Sequence, residues 1–337
     1  SKLGPNINTV ISFFIGNKAP NMKDSILFAR YHENFVNISS SIISEQISRL
    51  SIVETKRFRF DDQILSTLKW GVLLSSTDTT LDIISLLEKK GKRLYDLPGY
   101  DIDIGQGLNI SKTFIVKSDI LGKFPFLKNK LIPFMTSEDA APFVITGTVG
   151  FIVDKSKLEE KQIRKINDAG ISIFDPNSTS KLSPILILPR GVSRHFCALN
   201  LISAYSASAV DIYDKSKKLP EDMKLNIWLF LNSSIAWLLR EITGRKSLGG
   251  GLLKAEASDL REIPIYYDFN QPAKISKIYD KLRKRSVLPT IEEIETQEHK
   301  EIDKIVFDYL NLSEVQKNEA VGLLIKHISA RTTKART

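Results

Sequence analysis

The run Leu225–Arg240 (LNIWLFLNSSIAWLLR) leads into Gly244-Arg245, then Gly249-Gly250-Gly251-Leu252-Leu253-Lys254, then Asp259-Leu260-Arg261-Glu262-Ile263-Pro264-Ile265. Helical spacing of apolar residues predicts a helix over Met223–Thr243, stopped at Gly244. Ile227, Phe230, Leu231, Ile235, Leu238 and Leu239 cover much of its circumference, which is the pattern of a buried core helix. Asn232 and Ser233 interrupt that run, and inside a core helix their side chains are expected to bond neighbouring backbone and not a ligand. The glycines Gly249–Gly251 permit positive φ and close backbone approach. Two readings of that turn stand side by side: backbone N–H groups offered to a phosphate, or a tight turn into the next strand.

Upstream, Val10–Ile15 (VISFFI) and Ser25–Tyr31 (SILFARY) read as a hairpin with a long loop through Gly16, Pro20 and Asn21. Apolar residues from Ile38 to Leu50 recur at helical spacing, and Arg57–Phe60 alternates as a strand or as the approach to a helix at Gln63–Leu74. A further helix, Thr80–Lys89, is stopped by Gly91, with Lys89, Lys90 and Lys92 favourable to its C-terminal dipole. After Pro98-Gly99 come short β-rich runs: Ile102–Ile104, Thr113–Val116, Phe143–Thr146, Gly150–Val153 and Pro184–Leu188. These predict a mixed or antiparallel sheet. From Ala273 the chain is helical and charged, with a break near Pro289. The expected class is α+β: an N-terminal hairpin and helical segment over 1–93, a β-rich domain over 94–270, and a helical region with a basic tail over 271–337.

With 337 residues, one large or two modest domains are expected, and 42% apolar residues supply a core. Lys and Arg number 48 against 39 Asp and Glu, a formal charge of +9 that points to an anionic partner, nucleic acid first. The excess gathers in Ile104–Ser137 (five lysines, one aspartate), in Lys181–Ile265 (twelve basic, eight acidic) and in a tail holding Lys326, Arg331, Lys334 and Arg336. A single cysteine, Cys197, excludes an internal disulfide and a Cys-rich zinc module. With no signal peptide, and with its most apolar stretch (Ile227–Leu239) too short to span a bilayer, the chain is expected to be cytoplasmic. Its start at Ser1, within a polar stretch, suggests a fragment or processed form.

Sequence signatures of catalysis are missing. There is no P-loop, and Gly105-Gln106-Gly107 lacks the third glycine of a dinucleotide site, so a plain turn is the expected reading. His32, His195, His299 and His327 form no metal-ligand spacing, and Cys197 sits in the apolar HFCAL as a core residue. A Ser/His/Asp triad has no Gly-x-Ser-x-Gly elbow to support it. Asp211 with Asp222-Met223-Lys224 is a loose nuclease-like pattern, for which a solvated turn and helix start after Pro220 is the favoured alternative.

The order of Leu225–Arg240, the glycine turn, Leu253-Lys254 and Asp259–Ile265 resembles the target-recognition (TaqI-like specificity) region of restriction–modification N6-adenine DNA methyltransferases. There a Leu-Asn-Ser helix precedes a glycine-rich turn, a Leu-Lys pair and an Asp-Leu…Pro-Ile strand. Leu94–Asn109 (LYDLPGYDIDIGQGLN) is similar to the strand leading into that region, and Glu301–Leu312 (EIDKIVFDYLNL) to its terminal helix. The family's catalytic half needs an S-adenosylmethionine loop and an (Asn/Asp/Ser)-Pro-Pro-(Tyr/Phe) tetrapeptide for the flipped adenine. This sequence has no Pro-Pro pair. The resemblance therefore implies a β-rich recognition domain with flanking helices and no complete methyltransferase Rossmann-like domain. It has no catalytic residues or cofactor of its own, S-adenosylmethionine being held by a separate catalytic domain or subunit.

On that reading the partner is double-stranded DNA, read from loops around Gly107, Arg190 and Gly249. The candidate contacts are Lys112, Arg190, Arg194, Arg245, Lys246, Gly250 and Lys254, with arginine suited to guanine's edge and lysine to phosphate. Ser111, Thr113, Tyr205 and Tyr213 are weaker candidates, and Lys281, Arg283, Lys284 and Arg285 read as a solvated face. Two other functions compete: a metal-dependent nuclease or other DNA-modifying enzyme with a scattered site, and a docking scaffold for a methyltransferase subunit that does not touch DNA.

Overall fold

A computed structural model describes residues 25–31, 52–59, 77–108, 115–116, 118–135, 142–146, 150–178, 182–245 and 251–333. The chain divides into two compact units, Ser1–Leu81 and Asp82–Thr337. In the first, β1 (Ser25–Tyr31) pairs antiparallel with β2 (Ile52–Arg59), Ser25 opposite Arg59. The described partner of Ser25–Tyr31 is thus the alternating run that includes Arg57–Arg59. The expected hairpin partner Val10–Ile15 and the helices at Ile38–Leu50 and Gln63–Leu74 lie outside the described residues.

The helix α1 (Asp78–Lys90) ends at Gly91, as its sequence predicts. Gly91 N–H donates to Leu87 O at 2.7 Å, and a Cβ at Gly91 would lie 2.5 Å from the carbonyl oxygen of Ile265. Only glycine lets Lys92 and Ile265 exchange both of their backbone hydrogen bonds at 2.9 Å.

The second unit continues with β3 (Ile102–Gln106), α2 (Ser118–Lys123), β4 (Leu131–Met135), β5 (Val144–Ile145), β6 (Phe151–Asp154) and α3 (Glu160–Asp168). Then follow β7 (Ile173–Phe174), β8 (Leu186–Leu188), β9 (Gly191–Val192), β10 (Ala198–Asn200), β11 (Tyr205–Ser206) and β12 (Val210–Asp214). A five-stranded sheet has the order β3-β12-β8-β10-β5, antiparallel except for β10 with β5. Two of its inner strands, β8 (LIL) and β12 (VDIYD), are buried at every residue, whereas the edge strand β3 alternates. A four-stranded sheet, β11-β4-β6-β7, mixes parallel and antiparallel pairs. Period-2 alternation splits its two faces: Ile132, Phe134 and Ile152 pack with Phe174, while Val153 packs with Leu127 and with Ile166 of α3.

The core helix of the sequence reading is two helices, α4 (Glu221–Leu231) and α5 (Ser234–Thr243). Ser233 makes the break: it caps α5, its Oγ accepting from Ala236 N–H at 3.3 Å. Trp228, Leu229, Phe230, Trp237 and Leu238 are all buried, so the expected core role holds on both sides of the break. Beyond it come β13 (Leu253–Lys254), which pairs with β9, and α6 (Ala257–Glu262). The strand expected at Asp259–Ile265 is instead helical through Glu262. Glu256 and Asp259 form a reciprocal capping box there, leaving Ile265 alone to bridge Lys92. Four helices complete the unit: α7 (Pro272–Leu282), α8 (Thr290–Ile294), α9 (Gln297–Leu310) and α10 (Glu314–Thr333), with the predicted break before Thr290. The fold is α+β, and no complete Rossmann-like domain is evident among the described residues. None of the described helices is long and apolar enough to cross a membrane.

Candidate nucleic-acid interface

Three candidate cations, distant in sequence, are brought side by side by backbone pairing. Lys254 on β13 lies opposite Gly191 on one side and Arg245 on the other, Arg245 and Lys254 exchanging both backbone bonds at 2.9 Å. Ala255 N–H then donates to Arg190 O at 2.9 Å. Gly244 makes the approach possible, since a Cβ there would stand 2.8 Å from both Arg240 O and Leu253 Cδ1. The chain turns at once into α6, whose cap residue Glu256 receives all three side chains.

The Glu256 carboxylate takes Arg190 through Nε at 2.7 Å and Nη2 at 3.0 Å, Arg245 Nη2 at 3.0 Å and Lys254 Nζ at 2.9 Å. From the end of β3, Gln106 Nε2 donates a further bond at 3.0 Å. Hydrogen bonding to Arg190, reinforced by Lys254 and opposed by partial burial, holds the Glu256 carboxyl down to about 2. Three cations around one carboxylate leave a net surplus of two positive charges. Side-chain exposure is 63% for Arg245, 28% for Lys254 and 27% for Arg190, against 11% for Glu256, so the positive groups face solvent and the anion lies beneath them.

A second group sits at the other end of α6. Arg261 Nη2 reaches Asp103 Oδ1 at 2.7 Å and Ile104 O at 2.5 Å, closing the edge of β3, and Lys215 Nζ meets Asp103 Oδ2 at 2.9 Å. Behind both groups the site is braced by buried arginines. Arg240 Nη2 donates to Pro189 O at 2.5 Å, the carbonyl just before Arg190. Arg331 Nη1 donates to Gly251 O at 2.5 Å, and its Nε to the buried Glu241 at 2.9 Å. Burial pushes His195 down to about 4, so it is neutral at pH 7 and bonds Glu241 through Nε2 at 2.8 Å.

The structure therefore gathers Arg190, Arg245 and Lys254. Arg194 does not join them; it is exposed on the next turn, its Nη1 donating to Val287 O at 3.0 Å. Lys112, Lys246 and Gly250 lie outside the described residues, as do Ser111 and Thr113. Tyr213 is a sheet residue, its hydroxyl donating to the buried Asp211 at 3.0 Å, and Tyr205 packs edge-on against Phe174. Gly107, expected as a plain turn, instead prolongs the pairing beyond β3: its N–H donates to Ala209 O at 3.0 Å, and a Cβ there would lie 2.6 Å from Ser206 O. Arg331, counted by sequence in the basic tail, is a core residue whose side chain is 2% exposed. Arg285, read as part of a solvated face, is a fork on the buried Glu293 at 2.7 and 2.5 Å.

Gln106, Lys215, Glu241, Glu256 and Arg261 join the site without having been candidates by sequence. The signal for Glu241 was present, since an Arg-Glu pair closing a helix apolar all round is a marker of paired buried charge. Glu256 gave none, because one acid after one lysine resembles any solvated turn.

Among the described residues, those of the enzymatic alternatives lie apart. Asp222 is exposed in the first turn of α4 and bonds its own neighbour Met223 N–H at 2.9 Å, while Asp211 is buried on β12. Among the described residues no group of three or more His, Cys, Asp or Glu is placed to hold a metal ion. Ser234, His299 and Asp303 do meet, Ser234 Oγ lying 2.9 Å from His299 Nε2 and 2.6 Å from Asp303 Oδ2. Serine and aspartate share the same ring nitrogen and all three residues are buried, so this is a tie between α5 and α9 and not a nucleophile relay. Cys197 is buried, which raises its thiol pKa well above the ordinary value.

No protein-family model and no curated protein matches the chain. Among solved structures, its fold is similar to that of the type IIG restriction endonuclease BpuSI, with a TM-score of 0.55 and 12% identity. The likeness covers 84% of this chain and 36% of the BpuSI chain, so this chain spans about a third of the length of that protein, and what the two share is a fold.

Proposed function

We propose that this chain is the DNA sequence-recognition region of a restriction–modification N6-adenine methyltransferase. It binds double-stranded DNA without catalysing methyl transfer itself. The observation that carries this reading is the convergence of Arg190, Arg245 and Lys254 on one solvent-facing surface. The fold likeness to a restriction endonuclease, an enzyme that acts on DNA, supports it. The surplus charge attracts the phosphate backbone, a term independent of sequence. Specificity needs side chains at base edges, and a forked arginine held by a carboxylate is suited to guanine's two acceptors. The chemistry belongs to a catalytic domain or subunit that binds S-adenosylmethionine.

Filter binding of the intact chain to duplex DNA across a salt series tests this. Log affinity is expected to fall with log salt by roughly one unit for each phosphate contact. Arg190→Ala is expected to weaken binding to a preferred sequence by about 1–3 kcal/mol, and Arg194→Ala to weaken it less, because Arg194 stands outside the cluster. An intact chain with no affinity for duplex DNA at low salt would overturn the proposal.

A further inference from the structure

A carboxylate at the centre of a DNA-binding surface needs a reason, because it repels the phosphates that its neighbours attract. Glu256 is no stray surface acid. It is mostly covered, and it accepts from Gln106, Arg190, Arg245 and Lys254 at 2.7–3.0 Å. These four partners differ in kind. Arg190 is gripped by both carboxylate oxygens, a fork-to-fork geometry that fixes the plane of its guanidinium. Arg245 and Lys254 each make a single contact, both to the same oxygen, Oε1. A phosphate oxygen offers Arg245 and Lys254 an equivalent acceptor, and Arg245 is the more exposed of the two.

We infer that Glu256 is a specificity-determining positioning residue: its carboxylate sequesters Arg245 and Lys254 from arbitrary phosphates while presetting Arg190 for a base edge. The inference rests on the DNA-recognition reading and adds a division of labour to it. Sequence-independent attraction is held down by one negative charge at the centre of the cluster. The oriented arginine, whose ordering is completed before binding, carries discrimination.

Glu256→Gln tests this, since it keeps size and one acceptor oxygen for the α6 cap but removes the charge. Two probes are used with the full chain: a random-sequence duplex, and the duplex the wild-type chain enriches from a randomised pool. E256Q is expected to bind the random duplex several-fold more tightly, with a salt slope steeper by about one unit. The ratio of enriched to random affinity should fall several-fold. Glu256→Asp, which retains the charge and is itself a good cap but is too short to hold the Arg190 fork, should keep the wild-type slope and still lose discrimination. If E256Q leaves slope and ratio as in the wild type, or weakens both duplexes equally, the inference fails. A wild-type ratio in E256D defeats the positioning half. A wild-type chain that binds neither duplex refutes the DNA reading itself, which separates the two failures.

Discussion

Replacing Arg331 by alanine is expected to destabilise the protein by about 3–5 kcal/mol, the usual consequence of removing one partner from a buried ion pair. For a chain of this size that corresponds to a fall of roughly 5 °C in the unfolding midpoint. The reason lies in what remains. Glu241 is fully buried and takes Arg331 Nε at 2.9 Å and His195 Nε2 at 2.8 Å. Because His195 is neutral at pH 7, Arg331 is the cation in this contact, and its loss removes a charge that offsets a carboxylate buried in the core. The double variant Glu241→Met/Arg331→Met removes both charges and should recover part of the loss, because two methionines fill similar volume without a buried charge, while His195 Nε2 and Gly251 O lose a hydrogen-bond partner. Urea unfolding of the two variants beside the wild type measures this. An Arg331→Ala midpoint equal to wild type would mean that the side chain is solvated, as its place in a basic tail suggested.

Asn232→Ala is expected to cost about 2–5 kcal/mol, with the DNA affinity of the folded fraction unchanged. Asn232 Oδ1 accepts from Cys197 N–H, and Nδ2 donates to Cys197 O and Trp228 O, all at 2.9 Å. Alanine strands the buried N–H and the carbonyl of Cys197 together, at about 1–3 kcal/mol for each group. Asn232→Asp should be worse, since it turns a donor into a charged acceptor facing two carbonyls. Thermal unfolding beside filter binding discriminates the roles. A variant that melts like wild type but fails to bind DNA would make Asn232 a ligand-contacting residue and overturn the packing account.

What the sequence made legible was local. Gly91 could be read as the stop of α1 because dipole-favourable lysines and a glycine mark a helix end within a few residues. The apolar circumference of Ile227–Leu239 likewise announced a buried segment. Its division at Asn232-Ser233 was foreshadowed by the same two residues, whose capping chemistry favours a break over continuity. The two-residue strands were not legible: Leu253-Lys254 is extended because Gly191 and Arg245 flank it, and no pattern of period 2 fits in two residues. Asp259-Leu260 misled for a related reason, since a cap supplied by Glu256 outweighed the strand suggested by Pro264-Ile265. Of the site, the cations Arg190, Arg245 and Lys254 could be named because positive charge near turns is visible in one dimension. The carboxylate that organises them could not, because its role exists only once residues 106, 190, 245 and 254 have converged on it. Arg331 shows the converse: a cation in a cationic tail carries no mark of the buried Glu241 that waits for it.

The most direct test of the central claim is selection of duplexes from a randomised DNA pool by the intact chain, followed by sequencing. A short defined sequence is expected to be enriched over successive rounds, and Arg190→Ala to flatten the enrichment at one or more of its positions. Retained DNA with the composition of the starting pool, or no retained DNA at low salt, would contradict it.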